Sequence, residues 1–437
     1  METKGILRIE KRPLPCWLII WIVSLPLLWG MIFQLFSLPS FVKYTADIAW
    51  IGLLLLMLFR RKIKVEKKVF PLALLVVVFF LYSIILYLLN YQSIIYFLWG
   101  MRNNFRFYVL FFAVVLYFRQ RDAEKSFRVL DILFWVNVPI TLIQYFVFHY
   151  EQDFLGGIFG VESGANASTI IFFTIVLSRS MLRYMDKKES FALCSSKCVT
   201  ALFFSALAEL KFFFVFFIII LIMSAFLTSF SWRKLLIFIV CAFLVFITST
   251  LLVALFDFEG FLSIEKIWEA ATQEHYSSAQ TVNRLSAIPT LSETVIPEFG
   301  DRLFGFGLGN CDTSSFAVCN TPFYRTYGHL RYTFFSVAFL FLEVGYIGLA
   351  LYVLFFVIAY FLIRNRIRQG LCNELHGRIA LIMTTLSVIL VVYNSSLRAE
   401  AGYMVFFVLA LPFVNKQSVS EKGNEISAPE QREGEAV

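Results

Sequence analysis

VFPLALLVVVFFLYSIILYLL, residues 69–89, carries no charged residue and no turn signal after Pro71. A run of this kind is long enough, at about 20 residues, to cross the roughly 30 Å hydrocarbon core of a bilayer as one helix. The pattern recurs along the chain. About twelve apolar segments are long enough, or nearly so, to span: residues 16–36, 45–59, 69–89, 107–118, 129–148, 167–185, 198–208, 212–228, 235–256, 333–363, 379–393 and 402–414. The fourth is short and is read as extending back through residues 94–100. The chain of 437 residues is 59% hydrophobic and 16% charged, with mean hydropathy +0.76. A soluble domain is roughly 45–50% apolar and about a quarter charged. The expected fold class is all-α, a polytopic transmembrane helix bundle.

The net charge of +8 does not point to nucleic acid. Basic residues sit in short connections between apolar runs, where they orient helices and meet anionic headgroups. Lys4, Arg8, Lys11 and Arg12 precede the first run, which is too long for a signal-peptide core and is read as a retained helix. Arg60 to Lys68, Arg119 to Arg128, Arg183 to Lys197, Arg233 and Lys234, and Arg364 to Arg378 make every even connection basic. The odd ones are poor in Lys and Arg. The positive-inside rule then puts both termini in the cytoplasm. Residues 1–256 form helices one to nine, 257–331 a large extracytoplasmic loop, 332–414 helices ten to twelve, and 415–437 a polar tail too poor in apolar residues to order itself.

The loop 257–331 is the one long polar stretch, and it carries Arg284, Arg302, Arg325 and His329. Its glycine turn, Phe304-Gly305-Phe306-Gly307-Leu308-Gly309, lacks the spacing and the βαβ setting of a dinucleotide fingerprint. The glycines instead let the backbone turn tightly and approach a ligand. Arg284 suits a pyrophosphate clamp, because a planar guanidinium matches phosphate oxygens two at a time. The alternative is a surface ion pair with Glu293 or Glu298. His329 is placed for general base work at the membrane surface, or is a polar interface residue.

Four further features stand outside that loop. Glu209 and Lys211 lie between two short apolar runs, where a cation either lines an anion pocket or snorkels and pairs with its neighbour. Arg102 and Arg106 share a helix face and either hold a lipid phosphate or anchor at headgroups. Residues 156–166, with four glycines and ending in Asn166, line a wet cavity or form a plain loop. Seven cysteines are scattered; Cys194 and Cys198 have no metal-ligating companions in sequence, whereas Cys311 and Cys319 lie in the loop expected to face an oxidising compartment and are expected to form a disulfide, free thiols being the alternative.

Taken together, these pieces resemble the O-antigen polymerase and O-antigen ligase superfamily of bacterial glycan-assembly enzymes. The order carries the resemblance: Gly157-Ile158-Phe159-Gly160 with Asn166, then Lys211 opening a helix, Arg284 in a late loop, the glycine turn 304–309, His329, and Glu343-Val344-Gly345-Tyr346-Ile347-Gly348. The resemblance implies a multi-pass protein of the bacterial inner membrane that transfers glycan from an undecaprenyl-diphosphate carrier, without metal or other cofactor. It implies that Arg284 and Lys211 meet the diphosphate, with Arg302, Arg102 and Arg106 as further cations. His329 would activate the acceptor hydroxyl, with Glu343, Glu209 and Asn166 in support. The implied partners are the lipid-linked oligosaccharide, membrane lipid and a chain-length regulator. Polymerase is the expected activity and ligase, acting on a lipid A core, the alternative.

A transporter or flippase of lipid-linked sugars is the rival from another class. It predicts charges inside several spans and a central cavity open alternately to both sides. The concentration of charge beside one large loop favours an enzyme. Reporter fusions at Ala279 and Lys188 are expected to report opposite sides of the membrane, and the same side for both would overturn the charge alternation.

Overall fold

The computed structural model describes residues 13–59, 69–162, 164–229, 232–256, 272–273, 281–314 and 316–414. The basic segments 1–12 and 60–68, most of the first part of the polar loop and the tail 415–437 lie outside the described residues. The protein is all-helical, with 80% helix and no strand among the described residues.

In chain order the helices are α1 (Leu14–Phe36), α2 (Thr45–Leu58), α3 (Phe70–Leu89), α4 (Ile94–Tyr117), α5 (Gln120–Phe146), α6 (Ala165–Met185), α7 (Phe191–Leu207), α8 (Lys211–Phe226) and α9 (Trp232–Phe256). Three short helices, α10 (Ala287–Thr294), α11 (Phe299–Phe304) and α12 (Pro322–Tyr327), break up the polar loop. The chain then returns through α13 (Ser336–Arg368), α14 (Glu374–Tyr393) and α15 (Ala401–Ala410). Each of the twelve apolar segments lies on a helix. Among the described residues seven helices are long and apolar enough to cross a membrane: α1, α2 with the turn before it, α3, α5, α6, α13 and α14. α7, α8 and α15 have shorter apolar stretches, and of the 25-residue α9 the part Lys234–Ile247 is compared. α4 reaches back to Ile94, as its sequence suggests, but its middle carries Arg102, Asn103, Asn104 and Arg106.

Capping follows local chemistry. The Asn373 side chain accepts from the backbone N–H groups of Leu375 and His376 at the start of α14, and the Thr321 hydroxyl accepts from Tyr324 at the start of α12. α3 shows why these are membrane helices rather than core helices. Leu72, Leu75, Phe79, Ser83 and Leu86 are buried on one face. Leu74, Val77, Leu81, Ile85 and Leu88 are exposed on the other, and an apolar face of that length suits lipid packed against it. α6, with 78% of its apolar stretch buried, and α14, with 67%, form the centre; α2 and α5, at 22% each, form the flanks. α4 packs against α1, α2 and α15, α3 against α13, and α6 against α7, α8, α14 and α15.

α13 is broken at Gly345, whose φ of 62° and ψ of −167° belong to a region essentially restricted to glycine. The break frees carbonyls that a continuous helix would use, and such groups inside an apolar bundle must find donors. Phe306 N–H donates to the Leu342 carbonyl at 2.9 Å, Gly307 N–H to the Glu343 carbonyl at 2.8 Å, and Tyr82 Oη to the Val344 carbonyl at 2.9 Å. The glycine turn after α11 therefore docks onto the broken helix. A Cβ on Gly305 would stand 2.6 Å from the Gly345 nitrogen, so neither position has room for a side chain. Gly345→Ala is expected to lower the melting temperature in detergent or nanodiscs, the backbone strain alone costing about 1–3 kcal/mol. Gly300→Ala, which meets open space, should leave it unchanged; equal melting of the two variants would refute the constraint.

Candidate functional site

The glycine turn delivers a donor as well as packing. Gly309 N–H donates to Glu343 Oε1 at 2.8 Å. Glu343 is completely buried, and its Oε2 faces the Arg398 guanidinium at 3.4 Å. A buried carboxylate needs such charge-assisted partners, since desolvation without them costs several kcal/mol, roughly. Arg398 also lies 3.9 Å from Asp312 Oδ2 and sits over the Phe339 ring. Asp312 accepts from Asn103 Nδ2 at 2.6 Å, and the Arg398 carbonyl accepts from an Arg106 terminal nitrogen at 3.0 Å. One network thus joins the break in α13, the glycine turn, α4 and the α14–α15 connection.

Beyond Arg106 lies a cavity of about 280 Å³. Its charged lining is Lys43, Arg102 and Arg106 with Asp47, Glu162 and Glu400, three of each sign. Asp47 accepts two bonds from Arg102, at 2.9 and 2.7 Å, in the paired geometry that guanidinium and carboxylate favour. The guanidinium also lies 4.8 Å from the centre of the Trp99 ring. Arg106 lies over Tyr403 at 5.1 Å. Arg102 and Arg106, paired in sequence by helical spacing, do share one cavity.

Arg284 and Lys211, far apart in sequence, also come together. Arg284 and Glu209 are the charged groups that act electrostatically on the Lys211 ammonium. The Arg284 guanidinium lies 4.9 Å from the Tyr393 ring centre and 5.6 Å from that of Phe335, and Phe212, next to Lys211, stacks on Tyr393 at 3.9 Å. Glu209 accepts from Gln152 Nε2 at 3.1 Å, and Asn166 Nδ2 donates to Asp153 at 2.8 Å. Residues 393–403 run from this cation pair to the cavity, with Tyr393 at one end and Ser396, Glu400 and Tyr403 at the other.

His329 is exposed, and its Nδ1 lies 2.9 Å from the Thr326 carbonyl. A carbonyl only accepts, so Nδ1 carries the hydrogen and Nε2 keeps its lone pair in the neutral ring. That is the form a proton acceptor needs. The Val282 N–H bond to the Leu330 carbonyl, 3.0 Å, holds the His329 segment beside the one leading to Arg284. Arg302 is used differently. Its donors go to the carbonyls of Ile296 at 2.8 Å, Ser292 at 2.9 Å and Pro297 at 3.0 Å, tying α10 to α11. Arg325 is exposed on α12.

The expected disulfide is not formed: Cys311 and Cys319 are both buried free thiols. Cys311 is packed in the core with its carbonyl taking the Tyr332 hydroxyl at 2.6 Å, and Cys319 lies in a separate 3₁₀ turn. Burial pushes both thiols above the ordinary cysteine range, which keeps them protonated and unreactive. Among the described residues no group of three His, Cys, Asp or Glu is placed to hold a metal ion.

The residues that sequence reading passed over are Asp47, Asp312, Ser396, Arg398, Glu400 and Tyr403. The signal for two of them was present: Arg398 and Glu400 are charges in a short connection between apolar runs. Asp47 and Asp312 are recognisable only through the arginine or asparagine each one meets. No family model, no curated protein and no solved structure matches this chain. Alkylation of the unfolded, unreduced protein is expected to modify all seven cysteines; two fewer adducts, restored by reductant, would reinstate the disulfide.

Proposed function

We propose that the chain polymerises undecaprenyl-diphosphate-linked oligosaccharide repeat units into O-antigen or capsular polysaccharide at the outer face of the bacterial inner membrane. In this reading all twelve apolar helices span, both termini are cytoplasmic, and residues 257–331 form the extracytoplasmic loop. The observation that carries it is the meeting of Arg284 and Lys211, where the Arg284 guanidinium and Phe212, next to Lys211, both lie on the Tyr393 ring. The resemblance in motif order supplies the reaction class.

The acceptor hydroxyl oxygen attacks the anomeric carbon of the carrier-linked sugar. The carbon–oxygen bond to the diphosphate breaks, and its electron pair leaves with the undecaprenyl diphosphate. Arg284 and Lys211 neutralise the charge that develops there, which is the larger part of what such a site must supply. The hydroxyl proton goes to Nε2 of His329. Arg302 serves this site by shaping the segment that follows Arg284 rather than by touching phosphate. Glu343 acts through its bond to the glycine turn. The chemistry requires no metal and no nucleotide sugar.

Deletion of the gene is expected to leave lipopolysaccharide or capsule with single repeat units. Free polymer with bare lipid A core would instead favour the ligase. Arg284→Ala should abolish transfer while the protein stays in the membrane, and Arg284→Lys should rescue poorly because a point charge cannot reproduce the fork. His329→Ala should slow transfer by about 10²–10⁴-fold without loss of carrier binding. Wild-type glycan from Arg284→Ala would sink the proposal, and a wild-type rate from His329→Ala would return that residue to the interface.

A further inference from the structure

The polar loop does not stay level with the ends of the helices it joins. α11 starts after the exposed Glu298 and ends at Phe304, and its six residues advance about 9 Å. Tyr82 of α3 fixes where that advance ends. Its Oη donates to the Val344 carbonyl, beside the break in α13, and lies 3.3 Å from the Phe304 carbonyl oxygen. Tyr82 stands seven residues before Leu89, the last residue of α3, so Phe304 is held about 10 Å below that end. The chain then climbs back, and the Leu308 carbonyl accepts from Gln92 Nε2 at 2.7 Å, beyond the end of α3. Residues 298–308 dip beside α3 and α13 and return.

The surface around the dip is apolar. Phe299 is 70% exposed and Phe304 43%. Val78, Ile85 and Leu89 share the Tyr82 side of α3, at helical spacing, and are exposed too. They belong to the face of α3 that suits lipid. That face continues to Leu89, and the exposed Tyr91 lies past it, at a level where tyrosines meet headgroups. Phe304 therefore lies below the upper limit of the lipid face, and continues it sideways.

The backbone of the dip is paired as hydrocarbon requires. A loop in water can leave its polar groups to solvent, whereas lipid satisfies none of them. Arg302 N–H donates to the Glu298 carbonyl at 3.2 Å and Gly305 N–H to that of Asp301 at 2.7 Å, while Phe306 and Gly307 donate to α13. The Arg302 guanidinium, the one cation of α11, is turned back onto the carbonyls of Ser292, Ile296 and Pro297.

We propose that residues 298–308 form a re-entrant segment that dips about 10 Å into the leaflet covering the Leu89 end of α3, with Phe299 and Phe304 packed against lipid acyl chains. This part of the loop is bounded by hydrocarbon on one side, whereas Glu293 on α10 faces water. The segment goes beyond glycan transfer and stands whether or not the chain performs it.

The test uses the full chain in phospholipid nanodiscs. A nitroxide is attached at Phe304→Cys, Phe299→Cys, Ile85→Cys or Glu293→Cys. Wild-type protein carried through the same labelling supplies the background, its seven cysteines being buried. Relaxation by oxygen, which partitions into hydrocarbon, is compared with relaxation by a water-soluble nickel chelate. Oxygen is expected to outweigh the chelate at Phe304, as at Ile85; the chelate is expected to prevail at Glu293, and Phe299 to fall between. Dominance of the chelate at Phe304 overturns the re-entrant segment. Dipolar broadening there also overturns it, since that marks a second copy of the chain in place of lipid. Unsubstituted protein gives a second reading that no folding defect disturbs. A phospholipid with a diazirine in its acyl chain is expected to label residues 299–304 together with Ile85, and labelling of α3 without residues 299–304 sinks the proposal.

Discussion

The break of α13 at Gly345 is the constraint on which the rest of the polar architecture depends. A helix interrupted inside an apolar bundle exposes carbonyls that lipid cannot satisfy. This chain satisfies them with Phe306, Gly307 and Tyr82, so the turn after α11 is bound to one place on one helix. That docking in turn places the Gly309 N–H on Glu343. Without the break there would be no free carbonyls for the turn, and without the glycines the turn could not come close enough to reach them.

Glu343 passes the constraint outward. Its second oxygen meets Arg398, Arg398 reaches towards Asp312, and Asp312 is held by Asn103 of α4. The arrangement contains two carboxylates and one guanidinium in a region with little water. Each oxygen has a donor or a cation nearby, as burial of charge requires. Removing Arg398 would leave both carboxylates buried without their cation. The cavity lies next to the Arg106 end, and the Arg284–Lys211 pair lies next to Tyr393, ahead of Arg398 in the same connection.

How much of this was legible in the sequence differs between levels. The apolar segments located every long helix, because a run without charges has few alternatives. Even the extension of the fourth back to Ile94 could be read, since residues 107–118 alone are too short to span. Span number is less legible. Among the described residues length and composition single out seven helices, while α4, α7, α8 and α15 are short or interrupted by groups such as Arg102 and Arg106 that only packing explains. The glycine turn was recognised as a close-approach device, but what it approaches is the backbone at Gly345, and no local pattern reports a partner so distant in sequence. Arg284 and Lys211 were paired only through the resemblance, since no spacing in the sequence says that one acts on the other. Arg302 looked equally available, yet its fork is spent on three carbonyls, and backbone geometry of that kind leaves no mark on composition. Cys311 and Cys319 were close in sequence, and closeness in sequence did not bring the sulfurs into a bond.

The connection between α14 and α15 has a metrical consequence. Tyr393, under Arg284, and Ser396, in the cavity wall, are separated by three peptide units. At no more than about 3.6 Å per residue their Cα atoms stand within roughly 11 Å of each other, whatever the surrounding helices do. The segment is a ruler built into the chain. Any molecule that touches both places is measured against it, and lengthening the ruler by one residue would change what fits without altering a single contact at either end.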